Sequence, residues 1–280
     1  MKTVFLWILA LIFTSQLLAD VLKIGIIPYT DSLKIIKTHQ PLRIYLEKSL
    51  DMEVQIFTSK SYEDFYEDSK NGFFDVIITG PHFGVLHLED GFLPLYRYNV
   101  ELKPIFVVLK DAPYYDEMDL KNKQIALSNY LSVSSMGGVK SLIESGLKNG
   151  IDFKLFNAKS HTSAIASVLI GESAAAITTY TPLKQMTDQS VLEKVRFFET
   201  KMSMPHLFTI AHRNIHQSLY KKLVLKFKQF EYSPQGIEFF KSTGYIGYTE
   251  ITPSDIANLT SLLEETKKFL AIKEYPHETK

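Results

Sequence analysis

SKSYEDFYEDSKNGFFDVIITG, residues 59–80, can be laid over AKSHTSAIASVLIGESAAAITT, residues 158–179, without a gap. Ser61 falls on Ser160, Gly72 on Gly171 and Thr79 on Thr178, a constant offset of 99 positions. Each stretch reads the same way: a serine able to cap a helix, an amphipathic run, a glycine stop, a buried apolar strand and a threonine. Any strand–helix–strand unit carries similar punctuation, but the elements around the two copies agree in order as well. The pattern therefore predicts two lobes of like construction.

Around the first copy, VLKIGIIPY (21–29) reads as a buried strand broken at Pro28, and HQPLRIYLEKSL (39–50) as a helix with Pro41 near its first turn. EVQIFT (53–58) is a strand, Ser61 with Asp64 resembles a capping box, and FDVIIT (74–79) feeds a helix that starts after Gly80-Pro81. Around the second copy, KQIAL (123–127) is a strand, SSMGGVKSLIESGLKNG (134–150) a helix and FKLFN (153–157) a strand. This alternation predicts an α/β fold with a largely parallel sheet. KPIFVVLK (103–110) and MPHLFTIAHR (204–213) read as crossings between lobes. Lobe 1 is then discontinuous, residues 20–104 plus 210–280, with lobe 2, residues 105–209, inserted and a cleft between them hinged on two strands. In the helical C-terminal third, Asn214, Ser233-Pro234 and Ser254 are the expected helix starts.

The first nineteen residues read as a signal peptide. Lys2 supplies the basic start, Val4 to Phe13 the apolar run, and SQLLA a small residue suited to cleavage after Ala19. The run is short for a membrane span, so an uncleaved anchor is the lesser alternative. Roughly 260 residues remain, enough for two compact lobes. Lys+Arg 31 against Asp+Glu 31 leaves no basic excess, which argues against nucleic acid as a partner. The absence of cysteine excludes disulfides, thiol catalysis and cysteine metal sites. There is no G-x-S-x-G elbow, H-E-x-x-H pair or P-loop; His82 and His87, five apart, fit one helix face poorly as metal ligands. Neither a cofactor, a metal nor an enzymatic activity is expected.

SVSSMGG, residues 132–138, places neutral donors at a strand-to-helix junction. The first amides of a helix lack partners and carry a partial positive charge, so serines beside them form an anion cradle. Ser132 or Ser134 acting only as a helix cap is the competing reading. His161 opens the next helix, either as a neutral surface histidine or as a donor projecting into the cleft. Thr79, Gly80 and His82 stand at the equivalent strand end of lobe 1, and Thr178, Thr179 and Tyr180 at its repeat. Tyr29 and Tyr98 are aromatic candidates for the cleft wall. Ligands in open α/β sheets sit at such strand ends.

LKIGIIPYTDSLKIIKTHQPLRIYLEKSL, TSKSYEDF, NGFFDVIITGPHF, SVSS before a helix and SHTSAIASVLIGESAAAI together resemble the phosphate/phosphite/phosphonate-binding proteins of ABC transporters. The resemblance runs over nearly the whole chain after the signal peptide and is weakest after residue 215. It implies a type 2 periplasmic-binding-protein fold that closes around a small oxyanion. The family's S-T-S-G grip matches Ser132, Val133, Ser134 and Ser135, its helix-opening histidine matches His161, and its tyrosine after the first strand matches Tyr29. Three departures stand out. Gly84 replaces the tyrosine of G-P-x-x-Y, leaving His82 to fill the space; Val133 removes one hydroxyl; and Thr178 and Thr179 stand where aminophosphonate binders carry an acid. A ligand with a cationic tail is therefore not expected. The resemblance implies a monomeric periplasmic solute-binding protein that hands a phosphonate-, phosphite- or phosphate-like oxyanion to an ABC transporter permease. A periplasmic sensor subunit feeding a membrane histidine kinase is the alternative.

Overall fold

The computed structural model describes residues 21–184, 186 and 189–272; the expected signal peptide and its cleavage point lie outside them. In chain order, β1 (Leu22–Ile26), β2 (Val54–Phe57), β3 (Val76–Thr79) and β4 (Leu93–Tyr98) build most of a first sheet. The chain crosses at β5 (Glu101–Leu102) into a second sheet of β6 (Ile105–Leu109), β7 (Lys123–Leu127), β8 (Phe153–Asn157), β9 (Ala175–Thr178) and β10 (Val195–Glu199). It returns through β11 (Met204–Pro205) to β12 (Phe208–Ala211) and β13 (Tyr248–Thr249). Strand orders are β13-β4-β12-β3-β1-β2 and β10-β6-β9-β7-β8. Among the described residues no helix is long and apolar enough to cross a membrane.

Both sheets share one plan. Three strands run parallel (β2-β1-β3 and β8-β7-β9), and a strand joined to the crossing, β12 or β6, adds antiparallel to the third. Parallel pairing thus joins three of the six strands in the first sheet and three of the five in the second, and the rest add antiparallel. Strands that arrive from the opposite lobe enter against the direction of the βαβ units, and continuous apolar runs such as IFVVL do not reveal direction. The crossings themselves meet in a short antiparallel ladder, Leu102 with Met204 and Glu101 with Pro205. The first sheet takes the chain back at Phe208, two residues before the expected boundary at 210.

The helices that connect these strands are α1 (Ser32–Leu50), α2 (Tyr62–Lys70), α3 (Pro81–Glu89), α4 (Val133–Glu144) and α5 (His161–Leu169). The offset of 99 carries through: α2 and α5, β3 and β9 have corresponding bounds. Ser61 Oγ accepts from the Asp64 N–H at 3.0 Å, and Ser160 Oγ from Ser163 at 3.0 Å. Gly72 and Gly171 then turn with φ of 77° and 76°, a conformation glycine adopts without Cβ strain.

Some helix bounds differ from expectation. α1 starts at Ser32, capped by Asp31, and runs through Pro41. Proline removes one backbone bond; the buried row Ile35, His39, Leu42, Leu46 and Leu50 holds the helix through it. α4 stops at Glu144, and Gly146 at φ 97° ends any continuation toward Gly150. His216, not Asn214, caps Gln217–Phe230, accepting from the Ser218 N–H. Thr252 and Asp255 form a capping box, the cap standing two residues ahead of the expected Ser254, and the final helix is split into Pro253–Ala257 and Thr260–Ala271.

One apolar cluster spans the first lobe and continues into the second through Leu131, Val133, Met136 and Met204, all buried. The lobes are therefore packed together at the start of α4. Gly137 permits this approach: a Cβ there would lie 2.6 Å from Met204 Cε and 2.8 Å from Pro104 Cγ. Thr260–Ala271 packs with Leu262 and Leu263 in the first-lobe cluster. It also reaches α4 and the loop before it: Ser261 accepts from Lys140 Nζ at 2.6 Å, Thr266 Oγ1 lies 3.8 Å from Met136 Sδ, and Phe269 stacks near Tyr130 at 5.7 Å.

Candidate functional site

A partly open space of about 50 Å³ lies between the lobes at the carboxyl ends of the strands. Space of that size holds about three to five water-sized groups, the bulk of one small tetrahedral anion. Its wall includes Ser132 and Ser134 of the α4 start, His161 of α5, Thr179 after β9, and Tyr29 and His82 from lobe 1. Ile27, Leu102, Val133, Pro182 and Leu207 supply the apolar part. Among the described residues no lysine, arginine, aspartate or glutamate lines it.

Ser132 stands at the N-cap position of α4 with extended backbone, yet its side chain makes no capping bond. Its Oγ lies 2.9 Å from Ser134 Oγ instead. Serine at this position usually satisfies a first-turn amide; here the hydroxyls are turned to each other along the pocket wall. Ser135 is buried behind that wall, 3.4 Å from Ser128 Oγ, which in turn lies 3.5 Å from His161 Nε2. Ser135 therefore backs the cradle without lining it.

The histidines are neutral. Burial lowers His161 to about 4, with the Ile177 carbonyl pulling the other way. Burial likewise lowers His82 to about 4, opposed by its bond to Leu131. His82 Nε2 is 2.9 Å from the Leu131 carbonyl, so this nitrogen carries the proton and donates across the cleft. The imidazole stacks on Phe83 at 4.3 Å. Gly84, where the resemblance leads one to expect tyrosine, faces Phe208: a Cβ would lie 2.6 Å from Phe208 Cδ2. Phe208 thus occupies the volume that a larger side chain would need.

Thr79 and Thr178, both expected in the site, are fully buried in their sheets and do not line the pocket. They are the last residues of β3 and β9, and their hydroxyls lack a partner. The residues one step further, Gly80 and Thr179, turn to the cleft. Tyr98 is likewise buried away from it, stacked on Tyr245 at 4.1 Å.

Four polar lining residues were not anticipated: Tyr62, Thr181, His206 and Tyr245. Tyr62 is the 99-offset counterpart of His161, so the repeat itself contained the signal. Burial pushes its phenol up to about 12, against hydrogen bonds with Ser132 and Ser128, and keeps it a donor near neutrality. His206 follows the hinge ladder; its Nδ1 accepts from the Leu207 N–H at 2.9 Å, which leaves Nε2 as the protonated nitrogen. Burial lowers it to about 3, with Arg97 adding to the effect. Burial raises the Tyr245 phenol, against a bond with Thr181 from the other lobe. Among the described residues no group of three or more His, Asp or Glu side chains is placed to hold a metal ion.

A family model described as "ABC transporter, phosphonate, periplasmic substrate-binding protein" matches residues 24–256. The fold is similar to PhnD1 from Prochlorococcus marinus in complex with methylphosphonate, with TM-score 0.77 and 17% identity over 89% of this chain and 98% of that one. It is similar to XAC2383 from Xanthomonas citri bound to ATP, with TM-score 0.71 and 15% identity over 91% and 100% of the two chains. A binding protein component of an ABC phosphonate transporter from Pseudomonas aeruginosa gives TM-score 0.72 and 12% identity over 90% and 96%. At such identities these likenesses are of fold: two α/β lobes of the type 2 periplasmic-binding-protein class.

Proposed function

Since the chain belongs to the phosphonate-type periplasmic substrate-binding proteins of ABC transporters, we propose that its inner pocket traps one small, singly charged tetrahedral oxyanion, with methylphosphonate as the model ligand. The observation that carries this reading is the start of α4, where Ser132 caps nothing and its hydroxyl, with that of Ser134, borders the cleft pocket opposite neutral imidazoles.

A pocket without cationic side chains must offset an anion's lost hydration with hydrogen bonds alone. Each bond to a charged group contributes about 1.5–3 kcal/mol. The desolvation cost grows steeply with charge, so a monoanion suits such a site better than a dianion. Ile27, Leu102 and Val133 in the wall suit a methyl substituent. Bridging contacts from both lobes, His82 to Leu131 and Tyr245 to Thr181, make the enclosed form the one that would be presented to a permease.

Calorimetric titration with methylphosphonate, phosphite, phosphate and sulfate tests the reading. Methylphosphonate and phosphite are expected to bind more tightly than sulfate. No heat from any of the four, with folded protein, would remove this ligand class.

A further inference from the structure

A second cavity, of about 230 Å³, adjoins the first at the cleft mouth. Tyr62 lines both and forms the partition between them. Lys60 from lobe 1 and Lys159 from lobe 2 line this outer space. They are the 99-offset counterparts of each other, each placed one residue ahead of its helix-capping serine. Asn129 and Asn157 line it too. Their side-chain oxygens already accept from the Leu131 and Lys159 N–H groups, at 2.7 and 3.3 Å, which leaves their NH₂ ends to act as donors. Glu63 is the one acid in the wall, so the balance is positive.

We propose that this outer cavity is a second anion subsite, and that the physiological ligand class is two-headed: a phosphonate with a second anionic group, carboxylate or phosphate, a few bonds away. The proposal rests on the inner-pocket reading and extends it. Closing the lobes brings two like charges, one from each lobe, to a shared space where Glu63 offsets only one of them, so a bound anion relieves the remaining charge. The neutral inner pocket would select the head, and the lysine-lined outer one the tail.

The test is calorimetric titration of the purified protein with methylphosphonate and three pairs matched in carbon-chain length. These are ethylphosphonate and phosphonoacetate, propylphosphonate and 3-phosphonopropionate, butylphosphonate and 4-phosphonobutyrate. At least one carboxylate should bind about three- to thirty-fold more tightly than its alkyl twin, the range expected of two solvent-exposed charge pairs. The Lys60→Gln/Lys159→Gln double variant should lose that gain and keep methylphosphonate affinity within about two-fold. If methylphosphonate binds and no carboxylate gains, or if the gain survives in the double variant, the outer subsite is refuted and the inner pocket stands. If methylphosphonate itself fails to bind, the inner-pocket reading falls and takes the outer one with it.

Discussion

Replacing Ser132 with alanine separates the two roles open to a serine at a helix start. Were it a cap, Ser132→Ala would cost about 0.5–2 kcal/mol of stability. The structure shows no capping bond from this side chain. What is lost is the 2.9 Å contact with Ser134 Oγ and the hydrogen bond with the Tyr62 phenol, at a buried position in the pocket wall. The stability loss should therefore be that of one ordinary hydrogen bond, at most about 1 kcal/mol. The bound anion, by contrast, loses one charge-assisted hydrogen bond of about 1.5–3 kcal/mol, or roughly 10- to 150-fold in Kd. Because the two hydroxyls touch, Ser132→Ala/Ser134→Ala should cost less than the sum of the single changes. Urea unfolding of the ligand-free protein and titration with methylphosphonate give the two numbers. A variant that loses more than about 1 kcal/mol of stability and keeps its Kd would show that the hydroxyl serves the helix, and the cradle would be wrong.

Other substitutions probe the surroundings. Gly84→Ala should cost roughly 1–3 kcal/mol through the clash with Phe208, and clearly less in a Phe208→Ala background, where only the 3.0 Å contact with the remaining Cβ persists; equal costs in both backgrounds would dismiss that packing explanation. His82→Ala removes the bond to the Leu131 carbonyl and should speed methylphosphonate release several-fold, about 1 kcal/mol, with little change in association rate by stopped flow. His87 is buried between Tyr66 and Phe92 with neither ring nitrogen paired, and burial lowers it to about 3. The unfolded chain therefore takes up the proton first: stability is complete above pH 6.5 and falls by about 1.4 kcal/mol per unit below it, until pH 3. His87→Phe should remove that portion of the acid slope and make the protein more stable at pH 5 by roughly 2 kcal/mol; parallel pH profiles would contradict a neutral, buried imidazole.

The twin-lobe plan was legible because capping serines, stop glycines and apolar strands are local signals, and their repetition at one offset is hard to produce otherwise. Strand direction was not, since a strand buried on both faces reads alike in either sense. Of the residues that line the pocket, Ser132, Ser134, His161, Tyr29, His82 and Thr179 could be named because strand-to-helix junctions converge at one edge of such a sheet. Thr79 and Thr178 were misplaced by one residue: a strand's side chains alternate between faces, and the last residue of each still faces its own core. Tyr62 was recoverable from its repeat partner His161. His206 and Tyr245 were not, for nothing near them in the chain marks the cleft; tertiary packing alone brings them there.

The final helix, Thr260–Ala271, belongs by its leucines to one lobe and grips the serine helix of the other through Ser261, Thr266 and Phe269. Opening is then more than a bend at a four-residue ladder, since this second strap has to let go too. A vessel tied at two places stays shut when empty more than one held by a single seam. How often its strap slips would set the pace of loading, and whatever unties it at the membrane would set the pace of delivery.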